Sequence, residues 1–218
     1  MSRARQMVIA GAVAVAAGVG VFLAVGGEGD DGGVRTVQPG APGEPGRELD
    51  DDEAAGIEAP DHNAADVSFM QRMIVHHRQA LTMTALVADR TERDDLPLLA
   101  ERITVSQEDE IERLSRWLTD RDEAVPDDAD DGDHQDHTGM PGMATAAQLA
   151  QLEQAQGPAF ERLFLDLMIA HHQGALTMVT DLYAAGGGLE PEADRFAREI
   201  EADQATEIGR LQELPEQL

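Results

Sequence analysis

Apolar residues recur three and four positions apart over several long stretches of this chain, the spacing of one face of a helix. Phe69, Met73, His76, Ala80 and Met83 form one stripe, and Asp66, Met70, Met73, His77 and Leu81 form the adjoining one. With Asn63 as N-cap and Asp66 in the first turn, a helix is expected from there to about Asp89. A turn over Thr91–Asp95 comes next. A second helix has Pro97 in its first turn and runs to about Thr119, with Ile103, Gln107, Glu110, Leu114 and Trp117 in a heptad-like stripe. Thr145 with Gln148 reads as a capping box for a short helix to about Gln156. A third long helix is expected from Pro158 to about Ala185, stopped by Gly186-Gly187-Gly188. Pro191 opens a fourth, ending near Leu214-Pro215, with Phe196, Ile200, Gln204, Glu207, Leu211 and Leu214 in line. Four long helices joined by two short turns and one long crossover predict an all-α four-helix bundle.

The bundle is one helical hairpin written twice. Met73–Met83 aligns with Met168–Met178 at an offset of 95, with eight of eleven residues identical. Upstream, Asp66 matches Glu161 and Phe69 matches Phe164. The partner helices align at an offset of 97, so Ile103, Gln107, Glu110, Ile111 and Leu114 match Ile200, Gln204, Glu207, Ile208 and Leu211. Either hairpin alone would expose its apolar face; packing the copies together, about a pseudo-two-fold axis, buries both.

Composition divides the rest of the chain. Arg3 and Arg5 precede an uncharged run from Met7 to Val25, so residues 1–27 read as a signal peptide or an N-terminal membrane anchor. Either one places the remainder of the chain outside the cytoplasm, secreted or anchored to the cell membrane. Residues 28–60 are rich in Gly, Pro, Asp and Glu and read as a disordered acidic tether. Residues 61–218 hold the duplicated bundle: repeat one over 61–121, an acidic linker rich in His and Met over 122–144, and repeat two over 145–218. The 218-residue chain has no cysteine, which excludes disulfides, thiolate metal sites and thiol catalysis. Its formal charge of −27, with arginine the only basic residue besides histidine, argues against a nucleic-acid partner.

The stripes also place polar groups inside. Gln107, Glu110, Gln204 and Glu207 fall among core-facing residues, where polar groups need partners. His76, His77, His171 and His172 lie near mid-helix and are the obvious ones. Asp66 shares a helix face with His77, and Glu161 with His172. Adding the thioethers of Met73, Met83, Met168 and Met178 gives a candidate metal-ligand set between the helices. Adjacent residues on a helix point about 100° apart, so only one histidine of each pair is expected to face inward, with His77 and His172 favoured. His134, His137, Met140 and Met143 in the linker form a second candidate, a flexible loop suited to copper. The competing reading of the first set is a neutral His donating to a buried Glu with no metal, and of the second a solvated acidic loop.

Met73–Ala80 and Met168–Ala175, each followed by a Gln-x-x-Glu-Ile helix at Gln107–Ile111 and Gln204–Ile208, resemble the family known as domain of unknown function 305. Met140-Pro141-Gly142-Met143 and Phe160–His172 are similar to its exported bacterial members. The resemblance spans about residues 61–214 and implies a ferritin-like bundle. It also implies a link to copper, since some exported members are associated with copper binding and tolerance. The chain departs from the wider fold's di-iron pattern, because Met73 and Met168 stand where Glu-x-x-His would need glutamate. Binding is therefore expected rather than catalysis, with copper or another divalent metal as ligand. The alternatives are a metal-free structural or interaction bundle and a metal-dependent oxidase.

Overall fold

The computed structural model describes residues 22–24, 35–38, 45–50, 52, 59–127 and 139–214. They belong to two units, Met1–Glu58 and Ala59–Leu218. In the first, β1 (Phe22–Ala24), β2 (Arg35–Gln38) and β3 (Arg47–Leu49) make an antiparallel sheet in that order, with Phe22 opposite Val37 and Thr36 opposite Leu49. The hydrophobicity pattern did not foresee these strands. At three or four residues they are too short for an alternation to stand out from a Gly, Pro and acid background, although Thr36 and Val37 are β-branched. Apart from β1, the Met7–Val25 run lies outside the described residues. Among those described, no helix is long and apolar enough to cross a membrane.

The second unit is helical: α1 (Ala64–Thr84), α2 (Asp95–Thr119), α3 (Ala146–Gln154), α4 (Gly157–Ala184) and α5 (Pro191–Glu213). Local chemistry sets the starts. Asn63 accepts from the Ala65 and Asp66 amides while Asp66 accepts from the Asn63 amide, closing a capping box, and Thr145 with Gln148 repeats the device on α3. Pro158 and Pro191 occupy first-turn positions where their missing N–H goes unneeded.

α1 stops at Thr84 rather than near Asp89. The amides of Leu86, Val87 and Arg90 donate three residues back, to Met83, Thr84 and Val87, so the chain curls into tight turns that bury Val87. α4 ends in a Schellman motif: the Gly187 amide reaches the Leu182 carbonyl and the Gly186 amide reaches Tyr183, with Gly186 at φ +80°. A Cβ at Gly186 would meet nothing within 4 Å, so Gly186→Ala is strained by its backbone alone. It is expected to cost about 1 kcal/mol and to lower Tm by about 2–4 °C in a thermal melt.

α1 packs on α2, α4 packs on α5, and the two hairpins meet chiefly through α1 and α4. The apolar core falls into two clusters. One joins Phe69, Met70, Met73 and Ile74 of α1 to Ala175, Met178, Val179 and Leu182 of α4. The other joins Ala80 and Met83 to Phe164, Leu165 and Met168. Residues before the histidines of α1 thus meet residues after those of α4, so the two helices run antiparallel and cross at the histidines. The halves are tied reciprocally at their ends. Asp66 of α1 accepts from the Gly188 amide just after α4, at 2.6 Å, and Glu161 of α4 accepts from the Thr91 hydroxyl just after α1, at 2.6 Å.

Candidate metal centre

A layer of polar side chains separates the two apolar clusters. His76, His77, His171, His172, Gln107 and Gln204 are fully buried, and Glu110 and Glu207 nearly so. His77 Nε2 lies 2.5 Å from Glu110 Oε2, and His172 Nε2 lies 2.5 Å from Glu207 Oε2, so each hairpin closes one His–Glu bond between its own helices. The glutamate half of the pairing expected from the Gln/Glu stripes is present in both repeats, whereas Gln107 and Gln204 make no bond to the histidines.

Both histidines of each pair are inside, which corrects the expectation that one of each would face solvent. The 100° step between neighbours holds, but two surfaces receive the rings. His77 and His172 turn toward the partner helices α2 and α5, whereas His76 and His171 turn toward each other across α1 and α4. Their rings stack with centroids 3.8 Å apart at 29°. His171 donates Nε2–H to the His76 carbonyl at 2.8 Å, and His76 donates Nε2–H to the Pro141 carbonyl at 3.0 Å. A carbonyl only accepts, so both bonds fix the proton on Nε2. Burial, followed by the neighbouring His77, drives the His76 pKa down to about 3; burial and then His76 push that of His171 well down. Both rings are therefore neutral at pH 7, and each Nδ1 carries a bare lone pair.

The Nδ1 atoms of all four histidines are buried without a partner. Each ring thus has one nitrogen anchored to a carboxylate or carbonyl and the other free, an orientation that metal-ligating imidazoles also adopt. The Gln107 and Gln204 amides and Glu110 Oε1 are also buried without partners, each at a cost of about 1–3 kcal/mol if nothing fills them. Negative charge extends outward from the layer: Asp203 on α5 has its pKa raised by burial and then by Glu110 and Glu207.

The donor set fits a soft ion better than a hard one. Among the described residues, no three His, Asp or Glu side chains converge as a metal-holding group. Further ligands would have to be thioethers, and the polar layer is flanked by Met73 and Met178 in one cluster and by Met83 and Met168 in the other. Asp66 and Glu161 do not join this layer. Eleven residues of helix bring them back to the same face as His77 and His172 but about 16 Å away along the axis, where they hold the turns described above.

The linker segment also corrects its expected role. His134 and His137 lie outside the described residues. Met140 is buried in the first apolar cluster and Met143 packs against it, so these two belong to the bundle rather than to a free loop. Between them, Pro141 and Gly142 cross α4 so closely that a Cβ on Gly174 would stand 2.0 Å from the Pro141 oxygen, and one on Gly142 2.3 Å from the Ala170 oxygen. Across from Gly174, the Gln79 side chain clamps Ala144, donating to its carbonyl at 2.9 Å and accepting from its amide at 2.6 Å. Sequence reasoning passed over Gln79, Gly174 and the Pro141 carbonyl. A signal existed in the Pro-Gly turn and in the one repeat position that pairs glutamine with glycine.

The family described as domain of unknown function (DUF305) matches residues 66–215. Among solved structures, a DUF305 fragment from Deinococcus radiodurans is 31% identical, covering 73% of this chain and 100% of that one, with a TM-score of 0.64. A DUF305 protein from Streptomyces coelicolor, provisionally described as secreted, is 31% identical over 69% of this chain and 89% of its own, with a TM-score of 0.59. CopM in a Cu(II)-bound form is 33% identical over 68% of this chain and 94% of its own, with a TM-score of 0.56. No curated protein matches.

Proposed function

We propose, from the premise that the chain belongs to the DUF305 family, that it is an extracytoplasmic copper-binding protein that sequesters the ion or hands it on. The observation that carries this reading is the set of four buried imidazoles, each with Nε2 bonded and Nδ1 free. A bound copper ion would supply the Lewis acid these lone pairs lack. Its ligands would be drawn from His76, His77, His171 and His172, no more than two at any one point, completed by the thioethers of Met73, Met83, Met168 and Met178; Glu110 and Glu207 orient the rings of His77 and His172. The structures of CopM with Cu(II) and Cu(I) support copper as the metal, and the Arg3/Arg5 leader and the Streptomyces relative support the location. His134 and His137 are proposed as an auxiliary capture site in the acidic linker.

The test is titration of the purified chain with Cu(I), Cu(II) and Zn(II), followed by element analysis. Copper is expected to bind in the wild type and to raise Tm, with about 2.7 kcal/mol of stabilisation at a hundredfold excess over Kd. The bundle site is expected to vanish in a His76/His77/His171/His172→Ala variant, its helicity checked by circular dichroism. Unchanged stoichiometry in that variant overturns the bundle site; loss in His134/His137→Ala instead would move the site to the linker. The His–Glu bonds specifically favour one competing reading, a bundle whose polar pairs only hold it together. It predicts identical melting in chelator and in copper.

A further inference from the structure

We propose that the Met140–Ala144 strap is the door to the buried histidine layer, and that metal reaches His76 by displacement of this strap and not by parting of the helices. The inference rests on the copper reading only for what passes through. His76 is fully buried, so any ion must cross a wall to reach it. Toward α2 and α4 the wall is helix. α1 meets α2 and α4 through both apolar clusters, and opening there would break both. Where Pro141 meets the ring it is a single turn, Met140 to Ala144, closed by one 3.4 Å bond from the Met143 amide to the Met140 carbonyl.

Few contacts hold this turn, and they are of a kind that can be released together. Pro141 accepts from His76, Gln79 clamps Ala144, Met140 is buried in the first cluster with Met143 against it, and Ala144 is buried at the edge of the second. Gly142, at φ +75°, and Gly174 let the strap lie backbone to backbone on α4, with no side chain between them at that crossing. The strap atom bonded to the His76 ring is thus the Pro141 carbonyl itself. Thioethers at Met140 and Met143 flank the opening, chemistry suited to a soft ion in transit.

Two variants of the full chain test this, with labelling of histidines by diethyl pyrocarbonate, read residue by residue in a mass spectrometer, as the first measurement. Gly174→Ala places a methyl whose three nearest neighbours are strap atoms, while alanine in place of glycine favours α4 itself. Gln79→Ala removes the clamp without adding bulk. Both are expected to label His76 about tenfold faster or more, to speed hydrogen exchange at the Ala144 amide, and to leave helicity unchanged. Both are also expected to take up Cu(I) faster in stopped flow at unaltered stoichiometry. Labelling at the wild-type rate in both variants overturns the proposal, as does equal acceleration at His76, His77, His171 and His172, the mark of whole-bundle opening. Faster labelling with unchanged uptake overturns it too, since metal then enters elsewhere. Absence of copper binding in every form would sink the proposed function, and the labelling would still report whether the strap opens.

Discussion

Between pH 7 and pH 5 the metal-free bundle is expected to lose about 2 kcal/mol of stability through His76 alone, with His171 acting in the same direction, read as a falling urea midpoint. His76 and His171 are neutral in the fold, His76 with its pKa lowered to about 3 and His171 well down, in both cases chiefly by burial. In the unfolded chain both titrate near the ordinary value of about 6.5. Below that value the unfolded state takes up protons that the folded state refuses, at about 1.4 kcal/mol per pH unit for His76, and His171 adds to the loss in the same direction. Their contribution is therefore complete above pH 6.5 and is lost as the pH falls, levelling only near the folded value of His76. The loss is a large fraction of a typical total stability of about 5–15 kcal/mol. The window matters because the chain carries a net charge of −27. Below pH 5 its carboxylates begin to neutralise, and relief of their repulsion works in the opposite direction. His76→Gln is expected to remove its share of the slope, about 2 kcal/mol over this window; an undiminished slope would assign it to other groups.

Glu110→Ala and Glu207→Ala are each expected to destabilise the bundle by about 3 kcal/mol in denaturant unfolding. Each truncation leaves a fully buried imidazole without its Nε2 partner and opens a void between helices of one hairpin. In a double-mutant cycle, His77→Ala with Glu110→Ala should cost less than the sum of the two by about 1–3 kcal/mol, because the second change removes the group the first one orphaned. Glu110→Ala with Glu207→Ala, from different pairs, should be closer to additive. The exposed Arg116–Glu112 pair is the contrast, where solvent screens the charges and truncation should change stability by less than about 1 kcal/mol. A loss below that level at Glu110 would mean that the buried bond holds nothing together.

Much of the architecture could be read from the sequence because it is written locally. Asn63 with Asp66 and Thr145 with Gln148 are caps whose partners stand three residues away, and the duplicated stripes set Gln107, Glu110, Gln204 and Glu207 inward without knowledge of any other helix. What was misread depended on distance along or across the bundle. Angular position placed Asp66 on the face of His77 but is blind to height, and the carboxylate serves a turn three helical turns away. The fate of His76 depended on the antiparallel α4 and on a turn 65 residues further along the chain, neither visible in the spacing of one helix. Met140 and Met143 looked like part of a flexible loop because acidic residues precede them, whereas their apolar side chains had a cluster to join.

Positions 79 and 174 are the same place in the two copies of the hairpin, yet one holds the strap with its amide and the other makes room for it by having no side chain. Two separate hairpins assembling as a homodimer could not do this, since a single gene would put the same residue in both and a glutamine at the close crossing would collide with the strap. Fusion of the copies into one polypeptide frees equivalent positions to diverge. The tandem chain can therefore guard one histidine and leave its twin to bond the first one's backbone, giving the shared centre a front and a back that an assembly of identical subunits cannot have.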